Sequence, residues 1–107
     1  MVKVKYYSIY ALATGKLEEV FYPGVDFNTE QISLAYLLTL LLDKYGHPLA
    51  EKIFDDEQQF RPLFWLILDG ERLKLPKNPL ELEHIFLNVS PGTEREVIIS
   101  TPMLVGG

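Results

Sequence analysis

The chain has 107 residues, of which 48% are hydrophobic and 23% charged, and it contains no cysteine. This length and composition predict one compact domain, while the lack of cysteine excludes disulfides, thiolate metal sites and a cysteine nucleophile, as suits a reducing cytoplasm. The 10 basic and 15 acidic residues give a formal charge of -5, which argues against nucleic-acid or membrane partners and favours a basic protein partner.

The N-terminal segment has the period of a strand. Valine and tyrosine alternate with lysine from Val2 onwards, which predicts a strand over residues 2–12, and Met1 leads into it without a signal peptide. Gly15 provides a turn, and residues 17–22 return as a second strand. We therefore expect an opening β-hairpin. No apolar run is long enough to span a membrane.

The next segment has helical periodicity. Apolar side chains recur at helical spacing over residues 32–45, with Asn28 as the predicted N-cap and Gln31 as its capping-box partner. Gly46 is placed to end the helix, and Pro48 should prevent its continuation.

The central segment predicts a short helix over residues 49–54, followed by a hairpin. The unbroken apolar run at 63–68 is typical of a strand buried on both faces at the centre of a mixed sheet. Asp69 and Gly70 form a tight-turn signal, after which a short strand is expected at 72–75.

The last element is a strand. Residues 80–90 fit a short helix or an irregular crossover equally well, whereas 94–101 should form a strand with Val97 and Ile99 on one face. Pro102 then ends the pairing, because it has no amide donor.

The order of elements is strand, strand, helix, strand, strand, irregular segment, strand. If the first and last strands lie parallel in the middle of one sheet, with the helix across one face, this is a β-grasp arrangement. We therefore predict an α+β fold with a mixed four- to five-stranded sheet on one main helix. The β-grasp domain should cover residues 1–101, with a flexible C-terminal di-glycine tail at 102–107.

Residues suited to catalysis are sparse. His47 and His84 would need two further ligands to form a zinc site, and no strained nucleophile turn surrounds Ser90. The glycines are isolated at turns, and acidic pairs such as Glu18 and Glu19 are expected to be solvated strand ends. We predict no metal site and no enzyme activity of the chain itself.

The C-terminal segment carries the chemistry. A frayed terminus, a cloning remnant or a truncation would each explain two final glycines. However, Met103, Leu104 and Val105 are unusually apolar for a disordered tail and fit a groove in a partner. Gly106 and Gly107 have no Cβ, so a narrow channel can admit them. The Gly107 carboxylate is the predicted reactive group.

Four segments in order carry a family resemblance: the opening strand and turn at 3–15, the leucine-rich helix at 32–45, the hairpin at 60–70 and the Pro-Met-Leu-Val-Gly-Gly ending at 102–107. With these features the chain resembles the small-subunit family of molybdopterin synthase, whose members are ubiquitin-like sulfur carriers. The resemblance covers nearly the whole chain.

The resemblance implies a mechanism and a set of partners. An ATP-dependent, E1-like activating enzyme adenylates the Gly107 carboxylate, and sulfur replaces the adenylate to give a thiocarboxylate. The tail then inserts into the large subunit of the synthase, which transfers the sulfur to a pterin precursor of the molybdenum or tungsten cofactor. The chain itself is then cytoplasmic, non-catalytic and binds no cofactor, since ATP is used by the activating enzyme.

The resemblance also places a docking surface on the sheet near the tail. The partner-binding residues that it implies are Tyr7, Leu73, Thr101, Pro102, Met103, Leu104, Val105 and Gly106.

Three alternatives remain open at this point. A carrier for thiazole synthesis or tRNA thiolation, and a ubiquitin-like modifier joined to lysines, would both use an activated Gly107. A non-covalent β-grasp interaction domain would never have its tail activated.

Overall fold

The computed structural model describes residues 1–102. Five strands form one mixed sheet: β1 (Val2–Tyr6), β2 (Glu18–Phe21), β4 (Trp65–Leu68), β5 (Glu71–Arg72) and β7 (Arg95–Ser100). Their spatial order is β2-β1-β7-β4-β5. Two further strands, β3 (Gln31–Ser33) and β6 (Phe86–Asn88), pair with each other in a separate antiparallel sheet.

Three α-helices and one 3₁₀ helix complete the described part of the chain: α1 (Ile9–Thr14), α2 (Leu34–Tyr45), α3 (His47–Ile53) and the 3₁₀ helix Pro79–His84. Within residues 1–102, none of these helices combines the length and the apolar character that crossing a membrane requires.

The last strand, β7, occupies the centre of the sheet. It pairs in parallel with β1, where Val97 is opposite Val4, and antiparallel with β4, where Ile99 is opposite Leu66. This parallel central pair, a hairpin on each side and helix α2 as the longest helix confirm the predicted α+β, β-grasp fold.

One hydrophobic core lies between the sheet and the helices. Alternate residues of the strands face it, because side chains of a strand alternate between the two faces of the sheet. Helix α2 contributes Leu34, Leu37, Leu38 and Leu41 to the same core. The other buried members are Val2, Val4, Tyr6, Tyr10, Phe21, Phe27, Ile32, Leu49, Ile53, Phe64, Leu66, Leu82, Leu87, Val89, Val97 and Ile99.

The predicted strand over residues 2–12 is wrong beyond Tyr6. The chain turns at Ser8, which has a positive φ of 57°, and continues as helix α1. Tyr10 of this helix is buried and meets the ring of Phe64 edge to face at 5.7 Å, so tertiary packing overrides the strand preference of the aromatic residues. The predicted hairpin pairing of β1 with β2 is confirmed, with α1 inserted in its connection.

The predicted start of the main helix is also wrong. The N-cap is Ser33, whose Oγ accepts a hydrogen bond from the backbone N–H of Tyr36 at 3.0 Å. Asn28 is exposed and lies outside the helix, while Gln31 belongs to strand β3. The predicted end is confirmed, since the N–H of Gly46 donates to the carbonyl of Leu42 at 2.8 Å.

The apolar run at 63–68 forms a shorter and less buried strand than predicted. Leu63 is 63% exposed, and Trp65 and Ile67 are half-buried, so only one face of β4 is in the core. Strand β4 lies between β7 and β5, and the centre of the sheet is occupied by β7, as predicted for the last strand. The tight turn is confirmed, because Asp69 and Gly70 both have positive φ.

The segment at 80–90 contains both a helix and a strand. The 3₁₀ helix Pro79–His84 is followed by β6, which pairs with β3. The sequence left this segment open between a helix and an irregular crossover, and the second sheet was not predicted. The segment packs against the hydrophobic core, because the side chains of Leu82, Leu87 and Val89 are buried.

Candidate functional site

The residues that the structure describes end two positions after the central strand β7. Ser100, the last residue of β7, is buried, and its hydroxyl donates a hydrogen bond to the carbonyl of Thr101 at 2.9 Å. Thr101 and Pro102 are half-buried. Met103, Leu104, Val105, Gly106 and Gly107, which carry the predicted reactive group, lie outside the described residues. The body therefore places the root of this segment at the end of a strand that is paired on both sides.

Two aromatic residues flank this exit. The N–H of Tyr7 donates to the carbonyl of Ile99 at 3.0 Å, and the Tyr7 side chain is 44% exposed. On the other side of β7, Trp65 is the pairing partner of Ser100. An aromatic surface of this kind is a common feature of protein interfaces.

The indole of Trp65 is held by a basic neighbour. The guanidinium of Arg72 lies 3.9 Å from the centre of the Trp65 ring, a cation–π contact that is worth about 0.5–1 kcal/mol at an exposed site. Arg72 is opposite Ile67 in the β4–β5 pair, and Ile67 is two residues after Trp65 on β4. Arg72 and Trp65 therefore lie on the same face of the sheet, the one that turns away from the core. Trp65 and Arg72 were not nominated from the sequence, although Trp65 occupies a surface-facing position in the apolar run.

Charged residues border the same sheet face. Lys5 of β1 and Glu96 of β7 form an ion pair at 3.1 Å. Their hydrogen bond, together with their charge attraction, raises the pKa of Lys5 above its usual value. The open face therefore has an aromatic end near Ser100 and a charged region further back along β1 and β7.

The structure brings together some of the nominated docking residues and separates one of them. Tyr7 is bonded through its N–H to Ile99, next to the exit of β7 where Thr101 and Pro102 follow Ser100. Leu73 lies three strands away from β1, and its N–H donates to the carbonyl of Leu66, so it shares the core-facing side of the sheet with Leu66. Leu73 instead lines a cleft between residues 59–64 and residues 72–77.

The histidines are surface residues. His47 lies 3.3 Å from the carboxylate of Glu51, and His84 lies 3.7 Å from that of Glu83, with both imidazoles largely exposed. Across residues 1–102, no three side chains of the metal-binding types cluster together. Ser90 donates its hydroxyl to the side chain of Asn88 at 2.7 Å.

One acidic residue contradicts the sequence interpretation. The Glu19 side chain is only 8% exposed, although Glu18 and Glu19 were predicted to be solvated. Glu19 accepts hydrogen bonds from the Tyr6 hydroxyl at 2.6 Å, from Lys44 Nζ at 2.5 Å and from the Tyr45 hydroxyl. Burial by itself raises the pKa of the Glu19 carboxyl, but the three donors outweigh it and hold the pKa below its usual value.

Comparisons with known proteins agree on the fold. No protein-family model matches the chain, and curated protein sequences give no significant match. Among solved structures, small archaeal modifier protein 1 from Methanosarcina acetivorans is 25% identical, with a TM-score of 0.58, over 99% of this chain and 94% of that one.

A second similar structure comes from another archaeon. SAMP1 from Haloferax volcanii is 14% identical, with a TM-score of 0.63, over 99% of this chain and 98% of that one. Identity at this level supports the fold alone. The chain therefore has the ubiquitin-like β-grasp fold of these modifier proteins over nearly the full length of both.

Proposed function

We propose that this chain is a ubiquitin-like sulfur carrier whose Gly107 carboxylate is the group that is activated. One observation carries the proposal: the central strand β7 is paired on both sides and ends at Ser100, so the segment that leads to Gly106 and Gly107 starts from the most firmly held strand of the sheet. Because the segment starts from a fixed point, less conformational entropy is lost when a partner binds it.

The proposed chemistry takes place on the carboxylate and not on the body. An E1-like adenylating enzyme joins the Gly107 carboxylate to the α-phosphate of ATP and releases pyrophosphate. A sulfide-level sulfur donor then displaces AMP, which leaves a thiocarboxylate. Because glycine has no Cβ, the acyl adenylate is open to attack within a narrow channel. Acid–base groups are supplied by the partners, and this chain acts as a loaded substrate.

For the acceptor, we propose the pterin precursor of the molybdenum or tungsten cofactor, with the large subunit of molybdopterin synthase as the docking partner. Transfer of the sulfur to the pterin, with water supplying the oxygen, returns the Gly107 carboxylate. The aromatic exit formed by Tyr7 and Trp65 next to Thr101 is the part of the body that such a partner would contact first. Leu73 lies away from this exit.

A second candidate function is that of a protein modifier. The similar structures from both archaea are of small archaeal modifier proteins, which favours an alternative in which the activated Gly107 carbonyl forms an isopeptide bond with a lysine. This candidate shares the adenylation step with the first. The two functions differ only in the nucleophile that receives the acyl group or its sulfur.

The acceptor is tested by a transfer experiment. Thiocarboxylated protein is incubated with the synthase large subunit and the pterin precursor, and dithiolene formation is followed by mass spectrometry. Sulfur transfer with return of the unmodified chain supports the carrier. Lysine-linked conjugates in a cell extract, with no dithiolene formed by the purified components, would instead establish the modifier. A protein lacking Gly106 and Gly107 is the control and should do neither.

A further inference from the structure

A cleft of about 560 Å³ lies beside β5, between residues 59–64, which precede β4, and residues 72–77, which begin at the end of β5. Its apolar lining includes Phe60, Phe64, Leu73 and Leu75. The rings of Phe60 and Phe64 are stacked at 5.4 Å, and the two leucines pack against the core from a half-buried position. The cleft therefore offers a firm apolar floor beside an exposed strand.

The charge of the cleft is opposite to that of the chain. Of the 10 basic residues in the sequence, four line it, namely Arg61, Arg72, Lys74 and Lys77, and no carboxylate from residues 1–102 does. Within residues 1–102, none of the four forms an ion pair, although Lys5, Lys16, Lys44, Lys52 and Arg95 all do. A chain of net charge -5 thus has four of its five cations without an ion pair among the described residues at one place, the fifth being Lys3 on β1.

Among the described residues β5 is the edge strand of the sheet, so the backbone on its outer side can pair with another strand. The N–H of Leu73 donates to the carbonyl of Leu66 at 2.9 Å, which makes these two residues a hydrogen-bonded pair of the β4–β5 ladder. In an antiparallel ladder, alternate residues point their N–H and C=O groups outward. Arg72 and Lys74 therefore present theirs to the outer edge of the sheet, away from β4, and Pro76 ends the available edge.

Lysines on an edge strand oppose pairing with neutral or basic strands. The same charges attract an acidic strand, and alternate side chains of that strand would reach Leu73 and Leu75. We propose that the outer edge of β5, together with residues 73–75 that continue it, binds an extended acidic segment of a partner protein as an added strand, and that the cations lining the neighbouring cleft provide the complementary charge. This interaction is independent of Gly107 and of any loading of the tail.

The test uses the full chain and a short fluorescein-labelled peptide in which aspartate alternates with valine and leucine. Binding is measured by fluorescence anisotropy. We expect saturable binding that weakens as salt is raised, because exposed charges are screened within about 10 Å at 0.1 M ionic strength. A peptide with lysine in place of aspartate should not bind. A peptide N-methylated at alternate amides should lose binding, since it cannot complete the ladder.

The site is located with charge-reversal variants. Lys74→Glu combined with Lys77→Glu should weaken binding by about tenfold or more, because like charges then face each other. Lys3→Glu is the matched control: Lys3 also lacks an ion pair among the described residues but lies on β1, and its reversal should change binding by less than about twofold.

Three results with the peptide would overturn the proposal: equal loss in the double variant and in Lys3→Glu, equal binding of the N-methylated peptide, or no binding at low salt. A fourth is dimerisation of the protein without peptide that the double variant removes, because it would show that a second copy pairs with this edge. Since no activating enzyme or sulfur donor is present, none of these outcomes depends on the proposed sulfur-carrier function.

Discussion

At the scale of single residues, Glu19 is the side chain whose environment differs most from the sequence interpretation. It joins three elements, because it lies on β2 and accepts hydrogen bonds from Tyr6 of β1 and from Lys44 and Tyr45 at the end of α2. The rings of Tyr6 and Tyr45 meet edge to face at 6.1 Å. Glu19 thus satisfies polar groups that would otherwise be buried without a partner.

Removing the Glu19 carboxylate should destabilise the fold. Glu19→Ala leaves the Tyr6 and Tyr45 hydroxyls without their acceptor, which should lower the free energy of unfolding by about 2 kcal/mol. Glu18→Ala is the control, since Glu18 is exposed on the same strand, and it should change the value by less than about 0.5 kcal/mol. Urea unfolding measures both. Equal effects of the two substitutions would show that the network adds no stability.

The same network should make stability depend on pH. A carboxyl whose pKa is lower in the folded than in the unfolded state stabilises the fold above its unfolded pKa and loses this effect as pH falls through the folded pKa. The Glu19 carboxyl has its pKa lowered from an ordinary value of 4.5. The difference in unfolding free energy between the natural protein and Glu19→Gln should therefore shrink as pH falls below 4.5. A difference that stays constant down to strong acid would contradict this.

The loss of fold stability that we expect at alkaline pH has a related cause. Burial, assisted by the hydrogen bond to Glu19, raises the pKa of Tyr45 to about 12, and burial likewise raises the pKa of Tyr6. A raised tyrosine pKa favours the neutral form in the fold, so its stabilising effect is present below the ordinary pKa of 10 and is lost as pH rises above it.

At the scale of elements, the main helix shows where sequence patterns succeed and fail. The apolar stripe and the terminal Gly46 were sufficient to predict its body and its end. Its start was misplaced because Asn28 and Gln31 match a capping box by spacing alone. The residues in between pair with a strand more than fifty positions further along the chain, and no local pattern carries that information.

The cap assignment gives a direct prediction. Ser33→Ala should lower the free energy of unfolding by about 1 kcal/mol, because the N–H of Tyr36 loses its acceptor. Asn28→Ala, at the exposed position favoured by the sequence, should have little effect. Thermal or urea unfolding of the two variants compares them. The opposite order of stabilities would restore the capping box at Asn28.

In other elements too, local periodicity was predicted correctly and contacts between distant residues were not. Strands β1 and β7 alternate strictly, and their parallel pairing at the centre was predicted from element order. Helix α1 was missed because Tyr10 is buried by Phe64, a contact between residues far apart in sequence. The docking residues named from the sequence remain a prediction: Tyr7 lies beside the exit of β7, whereas Leu73 lies on the core-facing side of the sheet, a position that cannot be derived from the sequence of a two-residue strand.

At the scale of the whole molecule, the two ends of the sheet order carry different chemistry. The centre leads through Ser100 towards the glycines, while four of the chain's cations line the cleft beside the edge strand β5. The net charge of -5 gave the sequence-based prediction of a basic partner. The cleft shows why a total charge is a poor guide to an individual surface, since unpaired cations cluster locally within an acidic chain.

The core described here lies within residues 2–99, so removal of Gly106 and Gly107 should leave thermal stability unchanged. Unchanged stability would make the deletion variant a clean control for the loading experiments. A lower melting temperature in the variant would show that the glycines take part in holding the body together.

The central claim is tested most directly by the intact mass of the protein after incubation with an E1-like activating enzyme, ATP and a sulfide-level sulfur donor. We expect a single exchange of one oxygen for one sulfur, located at Gly107 by fragmentation and absent from the variant lacking Gly106 and Gly107. An unchanged mass, under conditions in which the same enzyme loads its own carrier, would contradict the account.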